Sequence, residues 1–361
     1  MNNISNILLD LLLDDNRIWT NDEIAELHWL TQKGPEIIST AKDNRVLMRG
    51  LEKIIPIVEN SLWPDRKDFA LFLRKNQDLG FSRMKKNIAL AYSVQKTFEE
   101  TGIKSVAFKT LDNFPDMGRD IDLLIPDKEH FSKAKNVLHN NFRWKPAQRL
   151  TFCDTIVGKN FYTDEENYDI SVEIYPRHSQ LGEEYMSDTD IVNRRVKENI
   201  DGYDFYVPAY EDRILIMAIH RIYRHAVLRI SDILNISKLT NSHNVNWEKV
   251  MHEAQKSGAL GGINLFLSTV DNIYEQVVGN HLPIPYLIEG RDIGKKVSID
   301  LTRKKFPSKM PPISTASVLL RKIGADLSKG RGISASRVAI MPILIGITFV
   351  TYKLLNKNYL W

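Results

Sequence analysis

The sequence predicts an α/β (α+β) fold, a small mixed sheet flanked by large helical regions, on three observations. Apolar residues recur at helical spacing through the first hundred residues and again from Ala209 to Val278. Between these regions lie short apolar runs bounded by Asp, Asn, Pro and Gly, the pattern of buried strands. The chain of 361 residues, 43% hydrophobic and 26% charged, suffices for two or three domains and is too apolar for wholesale disorder.

In the N-terminal region, Leu8, Leu9, Leu12 and Leu13 share a helical face. Ile24, Leu27 and Leu30 follow a Thr20–Asn21–Asp22 cap signal, and Leu51, Ile54, Ile55 and Val58 continue the period. Pro56 and Pro64 are expected to kink or end that segment. A long helix is predicted from Phe81 to Thr101, closed by Gly102.

The texture then changes. Ser105–Leu111 and Asp120–Ile125 read as strands, Lys128–Asn140 as a helix, and Arg149–Val157, Asn160–Thr163 and Asp169–Tyr175 as further strands with antiparallel character. Ile214, Leu215, Ala218, Ile222 and Ala226 then form one helical face. Helices around Trp247–Ala254 and Leu265–Val278 follow, and beyond Gly279 the rise in Pro and Lys suggests a linker. The division expected is 1–101 N-terminal helical region, 102–207 α/β core, 208–290 helical domain, and 291–361 basic linker with an apolar end.

The single cysteine, Cys153, excludes a disulfide framework and a cysteine-based zinc cluster. Asp10 interrupts the apolar run at the start and no basic residue precedes it, so a cytoplasmic protein is expected. The net charge of +4 is unevenly spread: residues 291–361 carry +11, leaving −7 on the body. Such a basic tail points to an anionic membrane surface or nucleic acid, against the plainer reading of a solvated segment.

The chemistry concentrates in Arg119-Asp120-Ile121-Asp122-Leu123-Leu124-Ile125. On a strand, Asp120 and Asp122 share one face, where two carboxylates repel unless a cation lies between them. Divalent ions with a preference for oxygen, such as magnesium, resolve that repulsion. A structural alternative has Asp120 capping a turn and Asp122 paired with Arg119 or Lys109. A second strand, Tyr168–Tyr175, places Asp169 and Glu173 on one face. If the strands are neighbours, Glu173 completes the three-carboxylate cluster that two-metal phosphoryl transfer needs. No P-loop, glycine-rich dinucleotide fingerprint, serine elbow or H-E-x-x-H is present.

The order Phe108-Lys109-Thr110, loop, Gly118–Ile125, helix, Val172-Glu173-Ile174 resembles the polymerase-β-like nucleotidyltransferase superfamily. It is most similar to that superfamily's uncharacterised nucleotidyltransferases, which show a Lys-Gly turn, an Asp-x-Asp strand and a later acid strand. A helix with histidines and an Arg…Asp pair follows in those proteins, and His220, Arg221, His225, Arg229 and Asp232 look similar. The resemblance implies a nucleotidyltransferase core in which Asp120 and Asp122 ligate two magnesium ions. Glu173 would ligate the catalytic one and help deprotonate the acceptor. Lys109 and Thr110 stand where the superfamily's glycine-serine turn holds the triphosphate, and Thr110 departs from the expected glycine. Arg119 binds phosphate only if the loop turns it inward; otherwise it pairs with Asp116 or Asp112. The stripe Arg221, His225, Arg229, Asp232 reads as one helix face, with Arg229–Asp232 pairing favoured over a substrate-binding role across the cleft.

The implied activity is magnesium-dependent transfer of a nucleoside monophosphate from a nucleoside triphosphate to an acceptor hydroxyl, on a small molecule, RNA or protein. The alternative is a catalytically weak nucleotide- or partner-binding module. Finally, residues 338–352 carry no charge. Fifteen residues fall short of the ~20 that span a bilayer, so burial as a helix leads over membrane association.

Overall fold

The N-terminal helices begin where their caps place them. In a computed structural model describing residues 3–14, 19–146, 160–163, 171–180, 183–285, 297 and 306–340, α1 (Ile4–Leu13) starts at Asn3, whose side chain accepts from the Ser5 N–H. The Thr20–Glu23 capping box opens α2 (Asn21–Glu26), and a 3₁₀ turn (Leu27–Lys33) leads into α3 (Gly34–Asp43). Helix α4 (Leu47–Asn60) runs through Pro56. Helix α5 covers Arg66–Glu100, so its expected start at Phe81 is corrected. Gly80 lies inside it, where the Met48 sulfur of α4 fills the space a β-carbon would take. Gly102, at φ 76°, closes it as expected.

Five strands form the central sheet: β1 (Val106–Ala107), β2 (Asp120–Leu124), β3 (Lys145–Pro146), β4 (Asn160–Thr163) and β5 (Ser171–Tyr175), in the order β1-β2-β5-β4-β3. β2 and β5 are parallel and every other pair is antiparallel, with helix α6 (Lys128–Phe142) following β2. The expected strand Arg149–Val157 and residues 169–170 lie outside the described residues. Two short pairs follow, β6 (Ser179–Gln180) with β7 (Glu183–Glu184), and β8 (Val196–Ile200) with β9 (Tyr203–Val207). Between them lies α7 (Asp188–Asn193). The β8–β9 turn places Asp201 and Gly202 at positive φ, which a two-residue hairpin demands.

Helix α8 (Tyr210–His220) stops earlier than the apolar period implied. A π-helical turn, Arg221–His225, and Ala226 at φ 47° break the helix. The single-face stripe from Arg221 to Asp232 is therefore corrected: Arg229 and Asp232 belong to the start of α9 (Ile230–Ser242). Between lies β10 (Val227–Leu228), paired with β11 (Ser308–Lys309). Helices α10 (Trp247–Ser257), α11 (Leu260–Val278) and α12 (Pro312–Ser328) complete the helical side, and 332–340 is also helical.

Strand alternation assigns the two sheet faces to two hydrophobic cores. Ala107, Ile121, Leu123, Val172 and Ile174 pack with Ile88, Val94 and Phe98 of α5 and Ala134 and Leu138 of α6. Val106, Leu124 and Tyr175 point the other way, into a larger core that joins α1, α3 and α4 to α8, α9 and α11. Asp120, Asp122 and Glu173 lie on this second face, toward the start of β2 and the middle of β5, where the apolar pattern gives way. Among the described residues no helix is long and apolar enough to cross a membrane. Of the uncharged run, residues 341–352 lie outside the described residues.

Candidate active site

Parallel register sets the carboxylates side by side. Asp120 pairs with Ser171, and Asp122 pairs with Glu173 on the neighbouring strand. Paired residues on adjacent strands project to one face, so the three acids share it. Asp120 is exposed, Asp122 half-buried and Glu173 only 4% exposed.

Each acid is held by a protein donor. Ser171 Oγ donates to Asp120 Oδ1 (2.7 Å), Tyr175 OH donates to Glu173 Oε2 (2.5 Å), and Lys109 Nζ lies 3.3 Å from Asp122 Oδ1. Burial, then the charges of Asp122 and Glu173, push the Tyr175 phenol well above its usual pKa, so it stays a donor. The Lys109–Asp122 pair is one of the structural alternatives the sequence leaves open for Asp122. Among the described residues no three Asp, Glu, His or Cys side chains converge closely enough, as placed, to hold a metal ion. The donor set nevertheless suits magnesium in chemistry: three carboxylates, hard oxygen donors, on one face, to which Lys109 returns one positive charge.

Lys109 reaches Asp122 through an unusual backbone. Its φ is 66°, and the Thr110 N–H closes a three-residue turn onto the Phe108 carbonyl at 2.8 Å. The ammonium sits over the rings of Phe108 (4.3 Å) and Tyr175 (4.6 Å), which favour a cation by their π-faces. Thr110 is 5% exposed. Its Oγ1 accepts from the Asp122 N–H (2.8 Å) and is 3.2 Å from the Asp120 carbonyl, pinning the turn to β2. Arg119 is exposed and makes no ion pair among the described residues. The acids suggested for it are taken, Asp116 by Arg49 (2.9 Å) and Asp112 by Arg213 (2.8 Å).

The loop that delivers Asp120 is strapped from four helices. Asn87 of α5 donates to the Gly118 carbonyl (2.8 Å), and the backbone N–H of Met48 in α4 donates to Asp116 (2.5 Å). Asn235 of α9 donates to Asn113 (3.0 Å), while Arg213 of α8 bridges Asp112 and Glu198. None of these straps has a local sequence signal, because every partner is distant in the chain.

Basic groups face the acids from the helical side. Asp120 and Asp122 are near enough to Arg45 to raise its pKa, although burial and then Arg221 prevail and lower it. His178, buried and stacked edge-on against Phe108, is pushed down to about 3, first by burial and then by Lys109 and Arg224. It is therefore a neutral wall. Arg221 Nε binds Asp232 Oδ1 (2.8 Å), while Arg229 meets Asp232 through its backbone, its N–H donating to Oδ2 (2.8 Å) and its carbonyl accepting the Asp232 N–H (3.1 Å). The side-chain pair thus belongs to Arg221, not Arg229. Arg45 and His178 were missed in the sequence, where each looks like an ordinary isolated polar residue.

An acid-bearing two-strand sheet face, a preceding turn with a cation, and helices packed over both define a nucleotidyltransferase-like core. The chain belongs to the uncharacterised nucleotidyltransferase family, whose model matches residues 92–274. No curated protein and no solved structure matches it.

Proposed function

We propose that the protein transfers a nucleoside monophosphate from a nucleoside triphosphate to an acceptor hydroxyl with release of pyrophosphate. The observation that carries this reading is the pairing of Asp122 with Glu173 beside Asp120 on one sheet face. The family match supports the class of reaction. Asp120, Asp122 and Glu173 would hold magnesium, which when bound supplies charge neutralisation for the triphosphate and for the acceptor oxygen. Glu173, in its buried setting, would also take the acceptor proton. Lys109 would leave Asp122 and contact phosphate oxygens as a point charge. The Phe108 and Tyr175 rings and neutral His178 keep the floor of the site apolar, which strengthens each charge interaction above it.

Incubation with each of the four labelled triphosphates, magnesium and cell extract tests the reading. Wild-type protein should release pyrophosphate and Asp122→Asn should lose about a hundredfold or more, as expected when one preorganised charge is removed. No release, or equal release by the variant, rejects the proposal.

The second reading, a nucleotide- or partner-binding module without catalysis, is favoured by the Lys109–Asp122 contact and by the burial of Thr110. Calorimetry with ATP separates the two. Magnesium-dependent binding supports the enzyme; metal-independent binding, or none, supports the module.

A further inference from the structure

Three guanidinium groups gather on the helical side of the site around a single carboxylate. Arg221 closes α8, Arg229 precedes α9, and Arg45 stands in the α3–α4 turn at φ 55°. Arg221 is 5% exposed and uses Nε on Asp232, while its buried Nη1 has no hydrogen-bond partner. Arg229 Nε is likewise buried without a partner. Among the described residues no carboxylate lies within ion-pair distance of the Arg45 or Arg229 side chain.

Such a cluster is costly in a protein with nothing to offset it. Unpartnered buried donors lose their hydration, and like charges repel. Burial, then Arg221 and Arg45, bring Arg229 down to about 10. A ligand with several anionic oxygens removes both costs, and guanidinium forks match phosphate geometry.

The cluster is held in place by backbone knots. Asn44 Oδ1 accepts the Ile230 N–H (3.1 Å), the Asn44 carbonyl accepts the Ser231 N–H (3.3 Å), and Asn44 Nδ2 donates to the Phe306 carbonyl (2.8 Å). Arg45 is thereby locked beside the start of α9. The π-helical turn that begins at Arg221 is a local irregularity of a kind that often marks a functional position.

We propose that Arg45, Arg221 and Arg229 form a phosphate-binding subsite on the helical side of Asp120 and Asp122. It rests on the reading of those carboxylates as the reaction centre. The phosphate belongs either to the donor triphosphate or to a phosphorylated acceptor.

The test is calorimetric titration of the full chain with inorganic tripolyphosphate, in a chelator and without magnesium. Wild-type protein should bind it, and Arg229→Gln and Arg45→Gln should each weaken binding about tenfold. Lys197→Ala, which removes an exposed cation paired with Asp204, should leave affinity unchanged. Both arginine variants should melt no lower than wild type when ligand-free, because each removes a repelled charge; a merely structural arginine would lower the melting temperature. ATP added to the saturated protein assigns the phosphate: competition points to the donor and simultaneous binding to the acceptor, and both outcomes support the subsite. Absence of tripolyphosphate binding, or equal affinity in the arginine variants, overturns it. Failure of the catalytic reading looks different: Asp122→Asn would release pyrophosphate like wild type while tripolyphosphate binding stayed intact.

Discussion

Lys109 occupies a conformation that glycine adopts at no steric cost, and it does so to place an ammonium between Asp122 and two aromatic rings. A non-glycine residue at positive φ costs on the order of 1–3 kcal/mol, and such strain concentrates at sites where geometry matters. Asp188 shows the same tension in its titration. It is 6% exposed, its Oδ2 accepts the His178 N–H (2.9 Å), and its Oδ1 is buried without a partner. Burial raises its pKa to about 7, against the lowering effect of that hydrogen bond. The folded state therefore holds a proton that the unfolded chain loses near pH ~4. Stability from this group is full below that pH and is lost as pH rises through about 7. Asp188→Asn should gain on wild type between pH 4.5 and pH 8, by up to a few kcal/mol. Thermal melts of both proteins at the two pH values read this directly, and parallel pH profiles would refute it.

At the scale of elements, β2 and β5 form as they do because period-2 alternation gives each an apolar face for α5 and α6. That alternation is local, so the shared face of Asp120 and Asp122 could be read from the chain. The partnership of Glu173 with Asp122 could only be supposed, since register between strands so far apart in the chain is a tertiary fact. Two features escaped reading for physical reasons. The left-handed Ala226 breaks what looks like one helix, and nothing in an alanine announces φ 47°. Arg45 is set beside the start of α9 only because Asn44 bonds Ile230 and Ser231, and no spacing rule connects residues so far apart. Asn44 is the strap that makes this placement. Removing its amide in Asn44→Ala leaves the Ile230 N–H buried and unpaired, and leaves the Phe306 carbonyl with Ser5 Oγ (3.3 Å) as its donor. Destabilisation of about 1–3 kcal/mol is expected from such an orphaned group. Urea denaturation checks it, and an unchanged midpoint would show the strap to be dispensable.

The whole molecule does not divide where its family match begins and ends. The larger core sets Leu8, Ile37, Leu51, Ile55 and Val58 against Ile214, Leu215, Ile233, Phe266 and Val270. A polypeptide of residues 92–274 keeps the carboxylates but loses the first group and Arg45. It should bury too little apolar surface to fold, binding a hydrophobic dye and lacking near-ultraviolet circular dichroism. A sharp cooperative melt from that fragment would contradict the expectation. At the edge of this core, to which it gives Val318, α12 turns Ile313, Leu320 and Leu327 outward at seven-residue intervals while Lys322 and Asp326 face inward.

The knot at Asn44 also carries a statement about timing. Ser5 Oγ accepts the Phe306 N–H (3.0 Å), so Ser5 and Asn44 both close onto a residue made 301 and 262 positions later, respectively. Chains emerge from the ribosome N-terminus first at roughly 5–20 residues per second. The opening segment must then wait through the synthesis of everything between before its last hydrogen bonds exist. A half-made chain can therefore already hold Arg45 and the acids of β2 and β5 while Ser5 and the Asn44 amide still lack the Phe306 backbone groups they close onto.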